Sequence, residues 1–304
     1  MPDLDLSMTM PVHSAENHSL TALPVATGLP AEATRELMWS YRQLEHPSLA
    51  ARLSDVIASP IGEGIKLLPR DWRKRIDRGV EASMMQAFEL ALLSLRERPY
   101  TGSGTASTLS HKLMAVGTGA VGGFFGPLST LAELPIATTL MMRSIADIAA
   151  SEGEHLRDNP DARLACVQVF ALGGRTRDDE DAEVGYYGMR ITLGLHFENV
   201  IEYVGKSDGP HIPGIINLVR AVAARFGVVV SDKFAAQMVP IAGALSGATL
   251  NLIFMQHYQH VARGHFIVRR LERSYGVERV REAYQQLAER ESSEAQEFSP
   301  IEGW

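Results

Sequence analysis

Apolar residues recur along this chain at intervals of three and four, the period of a helix with one buried face. Between Asp71 and Arg98 the series Ile76, Val80, Met84, Ala87, Phe88, Ala91 and Leu95 keeps that period. Asp71 caps the start of this predicted helix and Pro99 stops it. Asn159-Pro160 opens another predicted helix, which reaches Leu172 and ends at Gly173-Gly174. Further helices are expected from His46-Pro47 to Pro60, and over 186–203, 214–226, 240–263 and 276–290. Period-2 alternation is missing, and the one β-branched cluster, Val228-Val229-Val230, is too short to build a sheet. The pattern predicts an all-α chain forming a single multi-helix domain.

Two stretches break the amphipathic rule. From Leu113 through Ala132 there is no charged residue, and Gly117, Gly119, Gly122, Gly123 and Gly126 fall inside. From Phe234 through Gln256 charge is again absent, with Gly243 and Gly247 inside. Glycine in a helix interior costs about 1 kcal/mol against alanine, so close backbone approach is the expected compensation. Gly119 and Gly123, Gly122 and Gly126, and Gly243 and Gly247 are spaced to share a helix face. The two glycine-rich apolar helical segments are therefore expected to pack together or on near neighbours. Either run is long enough for a bilayer, but Pro127, Pro240, Gln237 and Asn251 argue for a soluble core or a shallow membrane segment.

Composition adds boundaries. Prolines among small polar residues make 1–30 an expected disordered tail, 31–288 is the helical domain, and 289–304 is an acidic tail. The opening Met-Pro-Asp-Leu-Asp lacks the positive charge and apolar run of a signal peptide. A formal charge of −7 speaks against nucleic acid as a partner. A single cysteine, Cys166, allows no internal disulfide and fits a reducing compartment. One local patch runs the other way. Lys66, Arg70, Trp72, Arg73, Lys74, Arg75 and Arg78 combine basic charge with tryptophan, which suits either a solvated helix face or a headgroup interface.

Candidate chemistry is confined to a few residues. Gly117 to Gly122 matches G-x-G-x-x-G, but a helix precedes it and Glu133 comes too early for the ribose acid, so no nucleotide cofactor is expected. The helix beyond Pro127 or Pro135 is apolar nearly all round and yet carries Glu133, Arg143 and Asp147. These fall on one stripe if the helix runs unbroken through Pro135. They make either a structural ion pair of Arg143 with Asp147 or a polar cleft with a shifted carboxylate. His257, His260 and Arg263 continue one face of a later helix, followed by Gly264, read as a helix breaker, and His265. Two histidines at this spacing could share a metal, but no third ligand stands nearby in sequence, so none is assigned. The catalytic candidates are Glu133, Arg143, Asp147 and His257; the ligand-binding candidates are Asn251, His260, Arg263 and His265.

Several stretches resemble one family. They are Ser59-Pro60-Ile61 with Leu67-Leu68-Pro69, Ala132-Glu133-Leu134-Pro135, Met142 to Ala149, Val169 to Gly173, and Pro240 to Glu272 with Asn251, His257-Tyr258 and Ala262-Arg263-Gly264-His265-Phe266. The ordered set, over roughly 47–285, resembles the EcsC family. That resemblance implies a bacterial, helical protein working at the membrane, with an ABC transporter as a partner and a place in the cytoplasm or peripheral to the inner membrane. It implies no catalytic mechanism. Three functions stay open: a membrane-associated or transporter-linked protein, a hydrolase using Glu133, Arg143, Asp147 and His257, and a carrier of a lipid-like ligand.

Overall fold

The computed structural model describes residues 28–45, 49, 70–91, 127–174, 185–194, 213–238 and 247–297. Among these residues there are eight helices and no strands. They are α1 (Ala31–Glu45), α2 (Arg70–Glu89), α3 (Pro127–Ser151), α4 (Pro160–Leu172), α5 over 186–194, α6 (Pro213–Met238), α7 (Gly247–Tyr275) and α8 (Val277–Glu297). The glycine-rich residues 113–126 and 239–246, and the expected helix from His46 to Pro60 apart from residue 49, lie outside the described residues. The all-α expectation holds.

The centre of the molecule is α4. Every residue from Ala162 to Leu172 is buried, including Arg163 and Gln168. A helix hydrophobic on all sides must be wrapped, and α2, α3, α6 and α7 do the wrapping. Its start is fixed by Asn159, whose side chain accepts from the Asp161 and Ala162 backbone N–H groups, with Pro160 in the first turn. Gly153, at φ +83, closes α3 just upstream. There the Glu154 N–H reaches Ala149 O and the Gly153 N–H reaches Ala150 O, the doubly bonded cap that needs a left-handed residue. Outside this core, α1 and α8 pack on α7 and on each other.

Helix limits differ from the sequence reading in informative ways. Helix α6 runs straight through Val228-Val229-Val230, because burial of Val229 and Val230 outweighs their weak helix propensity. Helix α7 continues through Gly264 to Tyr275. Gly264 does not break it. A Cβ there would stand 3.3 Å from Ser40 O and 3.2 Å from Leu44, so the glycine lets α1 approach α7. Helix α3 does run unbroken through Pro135. Helix α8 extends beyond 288, and Glu291 accepts a hydrogen bond from Tyr41, so the first part of the expected acidic tail belongs to the helical body.

Close approach also explains Gly173 and Gly174. Gly173 has an ordinary helical φ of −76, so it is not there for a left-handed turn. A Cβ on Gly174 would come 2.3 Å from the Arg225 carbonyl oxygen of α6. Backbone cannot yield as a side chain does, so Gly174→Ala is expected to lower stability by roughly 1–3 kcal/mol. Gly227, inside α6, has no atom within 4 Å of a Cβ position. Gly227→Ala should therefore raise stability by roughly 0.5–1 kcal/mol through helix propensity alone. Urea unfolding of the two variants checks both signs.

Candidate functional site

The most unusual side chain in the interior is Lys233, near the end of α6. It is 1% exposed. An ammonium removed from water needs compensation, and three groups supply it. Lys233 Nζ donates to Asn251 Oδ1 of α7. It also lies 4.7 Å from the centroid of the Phe254 ring, whose electron-rich face attracts a cation. The third group is the Glu133 carboxylate of α3, which interacts with Lys233 by charge and with Asn251 by a side-chain hydrogen bond. With its oxygen occupied by the ammonium, Asn251 uses its amide N–H toward Glu133. The order is ammonium, carboxamide, carboxylate.

Burial works against charge at both ends. It pushes the Lys233 amine down to about 8, with the Glu133 charge opposing. It pushes the half-buried Glu133 carboxyl above its ordinary range, with Lys233 and Asn251 opposing. Beside them Asp232, also half-buried, is pushed up to about 6 by burial, and burial first and the Asp232 charge second raise the Tyr258 phenol. The Tyr258 hydroxyl has no hydrogen-bond partner among the described residues. The cluster can hold a charge in an apolar setting and can shift a proton near neutral pH.

The positions of these three residues in the sequence matter as much as their contacts. Glu133 is the first charge after the uncharged run that ends at Ala132, and Lys233 is the last charge before the run that begins at Phe234. Asn251 lies inside that second run. One cluster thus joins the borders of both runs, and it sets the start of α3, the end of α6 and the start of α7 at one end of the bundle.

A model of the EcsC protein family matches residues 39–271. The chain belongs to the EcsC protein family. The match runs from Trp39 in α1 to Leu271 in α7 and contains Glu133, Lys233 and Asn251. No curated protein and no solved structure matches the chain.

The remaining candidates in this EcsC-family chain are dispersed. Arg143 and Asp147 are half-buried on the same helix as Glu133. Helical rise carries them about 15 and 21 Å along its axis from Glu133, so the stripe is shared but the location is not. His257 is fully buried, with Nε2 2.8 Å from Gly173 O at the end of α4. His260 is exposed and sits edge-on to Trp39 of α1, with ring centroids 6.3 Å apart. The two histidines therefore do not present one open face, and no group of three His, Cys, Asp or Glu among the described residues is arranged for a metal. Arg263 is exposed. His265 is fully buried, 2.9 Å from the Tyr186 hydroxyl through Nδ1, and burial holds its pKa well below the usual value. Its neighbourhood is structural. Arg190 of α5 grips Glu272 with both terminal nitrogens, and Tyr187 donates to the same carboxylate.

Sequence reasoning found Glu133 and Asn251 but missed Lys233. Its signal was present: a lone Asp-Lys pair interrupts the apolar series from Phe226 to Met238. Removing the carboxamide should expose its importance. Asn251→Leu strands a buried ammonium and is expected to cost roughly 3–5 kcal/mol, most of which Lys233→Met restores in the double variant. The unfolded chain holds the Lys233 proton up to 10.5 and the folded chain only up to about 8, so stability rises with pH across that interval. Chemical unfolding from pH 7 to 11 should show this rise in the natural protein relative to Lys233→Met.

Proposed function

We propose that this EcsC-family protein works as a non-enzymatic membrane-associated protein, with the uncharged end of its bundle lowered into one leaflet. One observation carries the reading. The cluster of Glu133, Asn251 and Lys233 brings the borders of two long charge-free runs to the same end of the molecule. On the described parts of α3, α6 and α7 at that end the only charges are Glu133, Asp232 and Lys233, and burial pushes all three toward their neutral forms, which is the pattern that a hydrocarbon environment demands. Ile136, one turn beyond Glu133, is 54% exposed and offers apolar surface at the same end. No helix among the described residues is long and apolar enough to cross a membrane, so the contact proposed is with one leaflet. The hydrolase reading loses support from the wide axial separation of Glu133, Arg143 and Asp147 along α3.

Flotation of the full-length protein with phosphatidylcholine vesicles, with and without phosphatidylglycerol, tests the reading. Insertion of apolar surface predicts that a bound fraction floats in 1 M salt, where the screening length has fallen to about 3 Å. Protein that stays at the bottom of the gradient with both vesicle types, at low and high salt, would overturn it.

A further inference from the structure

Three helices leave the Glu133–Asn251–Lys233 cluster in step, and once Asp232 beside Lys233 is passed their next charges are all arginines. From its start, α3 carries only Glu133 until Arg143. Helix α7 carries no Asp, Glu, Lys or Arg until Arg263. Backwards from its end, α6 carries only Lys233 and Asp232 until Arg225. Because the cluster fixes the register, these arginines can be levelled against it. At 1.5 Å per residue Arg225 lies about 12 Å from the cluster, Arg143 about 15 Å and Arg263 about 18 Å. A second contact confirms the register of α3 and α7: Gln259 donates to Ser144 Oγ at 2.8 Å.

Two further groups stand at that level. His260, about 14 Å from Asn251 along α7, is exposed and packs against the half-exposed Trp39. Neither Arg143 nor Arg263 has an ion pair among the described residues, whereas farther along α7 Arg269 and Arg270 are matched to Glu154 and Asp161, and to Glu152 and Glu36. Helix α7 thus has its arginines matched toward its C-terminal end, and Arg263 nearer its start stands without an ion pair among the described residues.

We propose that Arg143 and Arg263, with Trp39 and His260 close to them in level, form a collar that binds the phosphate headgroups of anionic lipids while the charge-poor end sits in the acyl layer. The proposal rests on the membrane reading above and adds to it a lipid class and a depth. The depth is set by length. From the helix ends to the arginines the layer, in which these three helices carry only Glu133, Asp232 and Lys233 as charges, is about 20 Å thick on α6 and about 24 Å on α3 and α7. One leaflet with its headgroups measures roughly 20–22 Å, so the arginines reach phosphate level as the helix ends reach the midplane. Guanidinium pairs with phosphate in a two-pronged geometry, and tryptophan favours the same interface.

Vesicle partition of the full-length protein tests this with Arg143→Gln, Arg263→Gln, the double variant and Arg281→Gln, an arginine on α8 far from the cluster. Each collar arginine is expected to contribute about fivefold to binding on vesicles containing phosphatidylglycerol. The double variant should therefore lose about 25-fold there and nothing on pure phosphatidylcholine, and Arg281→Gln should match the natural protein. Circular dichroism checks folding. Should the double variant unfold, the exposed Arg263→Gln alone carries the fivefold expectation, with Arg263→Lys retaining most binding. Equal affinity of natural and variant protein for anionic vesicles would overturn the collar and leave the membrane reading standing. Natural protein that binds neither vesicle type would remove both.

Discussion

An ammonium group inside a protein is tolerated only where its surroundings replace water. At Lys233 the replacement is a carboxamide oxygen, an aromatic face and a carboxylate, drawn from α7 and α3. None of these can slide without stranding the charge, and a stranded charge costs more than a domain of this kind can spare. The cluster therefore fixes how far α3, α6 and α7 extend relative to one another. The level of every other feature on those helices follows: the buried His257 against the end of α4, the Gln259–Ser144 bond, and the arginines beyond.

The rest of the fold supports that register from below. Helix α4 is enclosed on all sides, and its terminal glycines let α6 and α7 come close to its last turn. At the opposite end of α7, Arg269, Arg270 and Arg273 are matched by Glu152, Glu154, Asp161 and Glu36. Helix α5 is held by Tyr186 on His265 and by Arg190 on Glu272. Helices α3, α6 and α7 thus carry paired charge toward one end and only Glu133, Asp232 and Lys233 toward the other. That polarity is what a protein seated in one leaflet requires.

Much of this was legible in the sequence, and the failures have physical causes. Helical periodicity and the Asn159 cap follow from local rules, and the all-α fold follows from them, while the expected stop at Pro99 lies outside the described residues. The two uncharged runs were visible as compositional facts. What they shared was not, because Glu133 and Lys233 are a hundred residues apart and only tertiary structure brings them together. Gly264 looked like a break because glycine propensity is local, while its use, the approach of α1, is not. His257 and His260 looked like one face because their angular spacing is small. Yet α4 covers the first and leaves the second open, and periodicity does not tell which neighbour covers which edge of a helix. Lys233 fell between the helices expected over 214–226 and 240–263, because the β-branched Val228-Val229-Val230 has weak helix propensity and its burial inside α6 is not a local property.

The central claim is a depth: the cluster end lies in the acyl layer and the Trp39–His260 level at the headgroups. Fluorophores on Ile136→Cys and, separately, on His260→Cys would report it, since the native Cys166 is buried and its thiol is held protonated. Vesicles would carry a quencher either near the end of the acyl chain or at the headgroup. The account predicts that the label at residue 136 is quenched more strongly from the acyl chain and the label at residue 260 more strongly from the headgroup. Reversal of that order, or no quenching of either label by either lipid, would contradict it.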